Sequence, residues 1–218
     1  MNWLFFIKEV LRGKTIGRAL ISVNLSELFK KETWLDDNFS VLELGSEPAS
    51  HQRLLPPQWK TVASNYKTMS NIDLVIDLEK PFPLTTGQFD GIICFNVLYV
   101  IDNYLNFFRE ALRVSRGFVL FQIPLIQCIV PHPHDYTRMT RDRIIKIMSE
   151  LGEPAGVRYS IIPLGGSFSS AVSLIDPYLK FRVAKLLFYL PALCLDRLDR
   201  FFKRECPLMY LVLIKKYG

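Results

Sequence analysis

The sequence predicts an α/β domain in which a mostly parallel, doubly wound sheet carries helices on both faces. Three observations lead there. Short apolar runs recur along the chain without the alternation of a half-buried strand, as expected of strands covered on both sides. Helical periodicity fills several of the gaps between them. Strand–helix–strand repetition of this kind closes into a layered sheet with right-handed crossovers.

The elements follow in order. Residues 3–31 are helical in one or two pieces, because Leu4, Ile7, Val10 and Leu11 share a face and Gly13 to Gly17 break it. "FSVLEL" (39–44) is the first strand and ends at Gly45. "ASHQRLL" (49–55) supplies up to two helical turns, stopped by Pro56 and Pro57. "KTVASNY" (60–66), "IDLVIDL" (72–78), "FDGIICFNV" (89–97) and "GFVLFQIPL" (117–125) are the next four strands. Asn103 to Ser115 forms a helix between the last two, with Leu105, Phe108, Ala111 and Leu112 on one side. A helix over Arg141 to Leu151 starts at Thr140, a good N-cap, and stops before Gly152. "GVRYSIIPL" (156–164) is a sixth strand, "GGSFSSA" (165–171) a flexible loop, and 174–205 a basic, apolar helical stretch interrupted by Pro191. "PLMYLVLIKK" (207–216) closes the sheet as an antiparallel last strand. Two regions are expected: a helical extension over 1–38, and an α/β domain over 39–218 with a helical insertion at about 174–205.

Composition narrows the function classes. The 218 residues are half hydrophobic and 22% charged, so the chain is globular. The net charge is +6, but no Lys/Arg block of five appears, and nucleic acid is not an expected partner. Cys94, Cys128, Cys194 and Cys206 form no CxxC pair, which fits a reduced, cytoplasmic protein without a metal site. The apolar run at the start stops at Lys8 with no cleavage site after it, so no signal peptide is expected. A nucleotide-binding oxidoreductase is disfavoured, because no GxGxxG follows the first strand.

The succession "VLELGS", "VASNY", "DLVIDLEKPFPLTTGQFDGIICFNVLYVI" and "RVSRGFVLFQIP" resembles the class I S-adenosylmethionine-dependent methyltransferases, over about residues 39–151. It looks most like the methyltransferase type 11-like branch, which includes bacterial small-molecule and glycan-associated enzymes. The resemblance implies a Rossmann-like fold with S-adenosylmethionine as cofactor. It places Glu43 and Gly45 beside the methionine part of the cofactor, and Ser46 is a further candidate contact as the cap of a helical turn whose amides would meet a carboxylate. Asp77 falls at the acid facing the adenine amino group, Leu78 at the residue packing on the ring, and Asn96 where the fourth strand lines the pocket. Asn65 stands where the family has the acid that takes the ribose hydroxyls. The pattern also departs from the family: Glu47 and Ala49 replace glycines, and Tyr99 and Val100 replace a Glu-His pair.

"HPHDYTRMT" (132–140) resembles a second family segment, in which Pro133, Asp135, Tyr136, Arg138 and Thr140 match. Methyl transfer depends mostly on positioning. A general base helps an oxygen nucleophile, and His134 or His132 suits that task. His134 and Asp135 are the candidate catalytic residues, Asp135 orienting the histidine. His132, Tyr136 and Arg138 are candidate substrate contacts, Arg138 for an anionic group. The competing structural reading pairs Asp135 with Arg138 and packs Tyr136 on the next helix.

Residues 174–205 either cover the sheet edge or lie on a membrane surface as an interfacial segment, peripheral at its inner face. The expected function is methyl transfer to a small-molecule, lipid-linked or glycan acceptor. The alternative is a catalytically inactive binding or assembly module, which the lost glycines, Asn65 and Tyr99 favour.

Overall fold

The computed structural model describes residues 1–46, 52–130, 134–151 and 157–217. The helices are α1 (Trp3–Leu11), α2 (Ile16–Lys31), α3 (Tyr104–Val114), α4 (Arg141–Glu150), α5 (Ser167–Ile175), α6 (Arg182–Leu195) and α7 (Arg197–Phe201). The strands are β1 (Ser40–Leu44), β2 (Lys60–Asn65), β3 (Leu74–Val75), β4 (Phe89–Cys94), β5 (Ser115–Pro124), β6 (Val157–Leu164) and β7 (Met209–Lys216).

The seven strands form one sheet in the order β3-β2-β1-β4-β5-β7-β6. β1 pairs in parallel with β2 and β4, β2 with β3, and β4 with β5. The last strands run antiparallel. From β1 the chain winds outward through β2 and β3, then returns to β4 on the other side of β1. The topological switch point therefore lies between β1 and β4, where open α/β sheets bind ligands beyond the strands' carboxyl ends.

The chain forms two compact units. One comprises Trp34–Ile123, Val130–Ile161 and Leu211–Gly218. Phe118 anchors its core, with Trp34, Phe39 and Trp59 at ring separations of 5.6, 5.6 and 5.4 Å. Phe118 fits against β4 because position 91 is glycine: a Cβ there would lie 2.1 Å from the ring. On α3, Phe107 and Phe108 are buried, and Phe108 meets Phe121 of β5 at 4.9 Å.

The other unit comprises Met1–Thr33, Pro124–Ile129 and Ile162–Tyr210. It gathers α1 and α2 with α5, α6 and α7, so both helical stretches of the sequence fall in it. Buried Phe6 of α1 meets buried Tyr189 of α6 at 6.4 Å. The Tyr189 hydroxyl donates to Asp176, which also pairs with Lys185 at 2.6 Å.

Several expectations are corrected. "GGSFSSA" is not a flexible loop; its serines open α5. The amides of Phe168 and Ser169 donate to Asp196 (2.9 and 3.0 Å), and that of Ser167 to Asp199 (2.6 Å). The cap therefore comes from about 30 residues downstream. Pro191 does not interrupt the helix: α6 runs through it. Proline removes one intrahelical bond, to the carbonyl four residues back; here that residue is Leu187, which is exposed. β3 has only two residues, and β4 stops at Cys94 because Asn96 turns left-handed at φ 57°. Of the expected helix over 49–55, residues 49–51 lie outside the described residues, and Gln52–Leu54 form a single 3-10 turn.

Candidate active site at the switch point

The turn after β1 is tight, and its own side chains account for that. Gly45 has φ +67°, and a Cβ there would meet Val97 at 2.3 Å. Glycine is therefore required twice, for its left-handed backbone and for the valine beside it. Ser46 is buried and pinned at three points. Its amide donates to the Ser64 carbonyl (2.8 Å), its hydroxyl to Glu43 (3.1 Å), and its carbonyl accepts from Asn65 Nδ2 (2.8 Å).

Glu43 is a buried carboxylate one residue before the end of β1. Burial pushes its pKa up, and the Ser46 hydroxyl only partly offsets this. A buried acid at a ligand-binding crevice is a candidate functional group on physical grounds. Beside it, burial and then the Glu43 charge raise the Cys94 thiol, which stays protonated and unreactive.

Asn65 ends β2 and is only 8% exposed. Besides its bond to Ser46, its Oδ1 accepts from the Lys67 amide at 3.3 Å. An ionised aspartate could not donate to the Ser46 carbonyl, so the departure from an acid has a structural use: it ties the turn after β1 to the end of β2.

Asp77 stands two residues beyond β3 and its side chain is 46% exposed. It holds the Glu79 amide (3.1 Å) and pairs with Lys80 (3.0 Å); the Lys80 contact, then the Glu79 amide, keep its pKa low. An exposed pair of this kind is worth at most about 1 kcal/mol. Leu78 next to it is buried. Asn96, past β4, donates its amide to Gln122 Oε1 at 3.0 Å.

The second segment docks on the loop after β4. The Tyr99 carbonyl accepts from the amides of Tyr136 (2.8 Å) and Thr137 (3.1 Å), and the Thr137 hydroxyl donates to the Ile101 carbonyl (3.0 Å). Tyr99 also receives the Arg138 guanidinium over its ring at 5.7 Å. Asp135 is paired with Arg138 through both oxygens, one contact being 2.6 Å, and accepts from the Val130 amide (2.9 Å). Burial raises its pKa, but Arg138 and the Val130 amide outweigh this and hold it low. His134 is exposed and stacks on Tyr136 at 5.2 Å. The structure thus brings Asp135 to Arg138. His132, like Glu47 and Ala49, lies outside the described residues.

Three positioning residues escaped the sequence reading. Gln122, fully buried in β5, holds the Asn96 turn; a lone amide in an apolar run was the available signal. Val97 fills the space beside Gly45. Glu79 accepts from the amides of Asp102 (2.7 Å) and Asn103 (3.0 Å), just ahead of α3. Nothing local to Glu79 indicates that partnership.

The family scan gives no match, and no curated protein matches in sequence. Solved structures do match. An S-adenosylmethionine-dependent methyltransferase from Archaeoglobus fulgidus superposes with a TM-score of 0.60 at 14% identity, covering 99% of this chain and 100% of that one. The chain has the class I methyltransferase fold. A putative methyltransferase from an antibiotic biosynthesis pathway of Anabaena variabilis gives 0.54 at 13% identity, over 89% of this chain and 97% of that one. The YcgJ protein of Bacillus subtilis gives 0.53 at 12% identity, over 89% and 99%.

The residues at the switch point fit S-adenosylmethionine by their chemistry. That molecule offers an ammonium, a sulfonium cation, ribose hydroxyls and an adenine amino group, and the strand ends present the acceptors Glu43, Asp77 and Asn65 Oδ1, with Leu78 as an apolar neighbour.

Proposed function

We propose that this protein is a cytoplasmic S-adenosylmethionine-dependent methyltransferase acting on a small-molecule, lipid-linked or glycan acceptor. One observation carries the proposal: polar side chains stand at the carboxyl ends of four adjacent parallel strands, β3, β2, β1 and β4, around the switch point of a methyltransferase fold. Bound there, the cofactor supplies an electrophilic methyl group on a sulfonium.

The chain's residues divide the remaining work. Asp77 accepts the adenine amino group and Leu78 packs on the ring. Glu43 and Ser46, with Gly45 between them, hold the methionine end. Asn65 fixes Ser46 and meets the ribose with its remaining hydrogen-bonding capacity, and Asn96 lines the β4 side. On the acceptor side, His134 takes the proton as an oxygen nucleophile attacks, a neutral imidazole nitrogen being a proton acceptor. Asp135 acts through Arg138: their pair holds the loop that carries His134 and Tyr136. His132 and Tyr136 contact the acceptor, and Arg138 adds positive charge for an anionic one.

Photo-crosslinking with labelled S-adenosylmethionine tests the cofactor assignment. Labelling that S-adenosylhomocysteine suppresses and ATP or NAD does not, and that falls in Asp77→Ala, is the expected result. Labelling suppressed equally by ATP would replace the assignment with a general nucleotide site.

A further inference from the structure

Among the described residues, about half of the exposed large hydrophobic side chains fall within 174–202. α6 explains why. Its inner face buries Tyr189, Ala192 and Leu193, yet Val183, Leu187, Pro191 and Leu195 recur at helical spacing on the outside. A helix apolar on both faces belongs in an apolar environment rather than in water. Leu187 is 72% exposed, and on α7 Phe201 is 79% exposed. A concentration of exposed apolar side chains on one helical stretch is what an interaction site presents.

The charges indicate the partner. Lys180, Arg182, Arg197, Lys203 and Arg204 are exposed around the apolar residues. The acids of the same stretch are turned to internal work. Asp176 is buried against Tyr189 and Lys185, and Asp196 and Asp199 accept the first amides of α5. Glu205, next to Arg204, is exposed and accepts from the Tyr210 hydroxyl at 3.2 Å, so the exposed cations outnumber it and the outward charge is positive. Aromatic and aliphatic side chains interleaved with exposed cations suit an anionic lipid surface, where the rings enter the headgroup boundary and the cations meet phosphates. Among the described residues no helix is long and apolar enough to cross a membrane, so the contact would be lateral.

We propose that residues 177–181 with α6 and α7 form a peripheral docking surface for anionic lipid bilayers. The test is flotation of the full chain with vesicles of phosphatidylcholine alone or with about a third phosphatidylglycerol, across a salt series. Wild type is expected to float with the anionic vesicles, at least about tenfold more than with neutral ones, and progressively less as salt rises. Leu187→Glu/Phe201→Glu should lose flotation by about tenfold or more while keeping the wild-type melting temperature, since both side chains already face solvent. Lys203→Glu/Arg204→Glu should abolish the preference for anionic vesicles. Wild type that stays at the bottom of the gradient, or Leu187→Glu/Phe201→Glu that floats like wild type, overturns the proposal. Self-association without lipid that the same substitutions abolish would assign the surface to a second copy instead.

Discussion

Replacing Asn65 with aspartate separates two roles that one residue carries. Nδ2 of Asn65 donates to the Ser46 carbonyl at 2.8 Å in a site that is 8% exposed. An ionised aspartate has no proton to give. The substitution removes a buried hydrogen bond, strands the Ser46 carbonyl and places a carboxylate against it. The lost bond and the unsatisfied group together cost about 2 kcal/mol or more at neutral pH, a fall in melting temperature of at least about 4 °C for a chain of this size. The penalty has a defined pH dependence. Repulsion from the carbonyl and burial both raise the folded-state pKa of the new acid above its unfolded value of about 3.9. A raised pKa gives stability that is present below the unfolded value and lost as pH rises through the folded one, so Asn65→Asp should approach wild type near pH 3.5 and fall furthest behind at pH 7 and above. Differential scanning calorimetry across that range, with cofactor titration of the same samples, reads both roles. Asn65→Asp that melts with wild type at pH 7 and binds S-adenosylmethionine more tightly would refute the reasoning: position 65 would then be a ribose contact in which the amide is merely a weaker version of the acid.

The other predictions rest on similar local geometry. Gly45→Ala should destabilise by about 2 kcal/mol or more, from a left-handed backbone and the collision with Val97; adding Val97→Ala should recover the collision and leave about 1 kcal/mol, read by urea unfolding. Burial raises the folded-state pKa of Glu43 above its unfolded value, so wild type should lose stability as pH rises above the ordinary carboxylate range, and Glu43→Gln should flatten that decline in thermal melts. Arg138→Met leaves the Asp135 carboxylate, 7% exposed, without its cation; the cost should be about 3 kcal/mol. Asp135 has a depressed pKa, so its contribution is present above the unfolded value and lost on acidification, and Arg138→Met should remove that acid-sensitive component. Asp196→Ala should weaken α5 by about 1 kcal/mol, seen as faster amide exchange at Phe168 and Ser169.

The strands of this fold were legible because continuous apolar runs need cover on both faces, and the helices α3 and α4 because their caps, Asn103 and Thr140, sit next to them in sequence. The misread elements depend on distant partners. The "GGSFSSA" segment reads as a loop until Asp196 and Asp199 arrive from α6 and α7 to take its amides. Pro191 reads as a break because sequence does not show that α6 presents Leu187 to water. At the site, the strand-end positions of Glu43, Asn65, Asp77 and Asn96 followed from the resemblance and the switch-point rule. The partner of Asn65 did not, since Ser46 reaches it only in three dimensions; the Asp135–Arg138 pair was one of two sequence readings, and only the folded loop decides for Arg138 over His134.

The central claim is that the acceptor groups at the carboxyl ends of β1 to β4 hold S-adenosylmethionine. Calorimetric titration of the folded protein with S-adenosylmethionine and S-adenosylhomocysteine, in wild type and Asp77→Ala, tests it most directly. The account predicts micromolar binding of both ligands, weakened by Asp77→Ala with no change in melting temperature of the unliganded protein. No heat from either ligand, in a folded sample at high concentration, would contradict it.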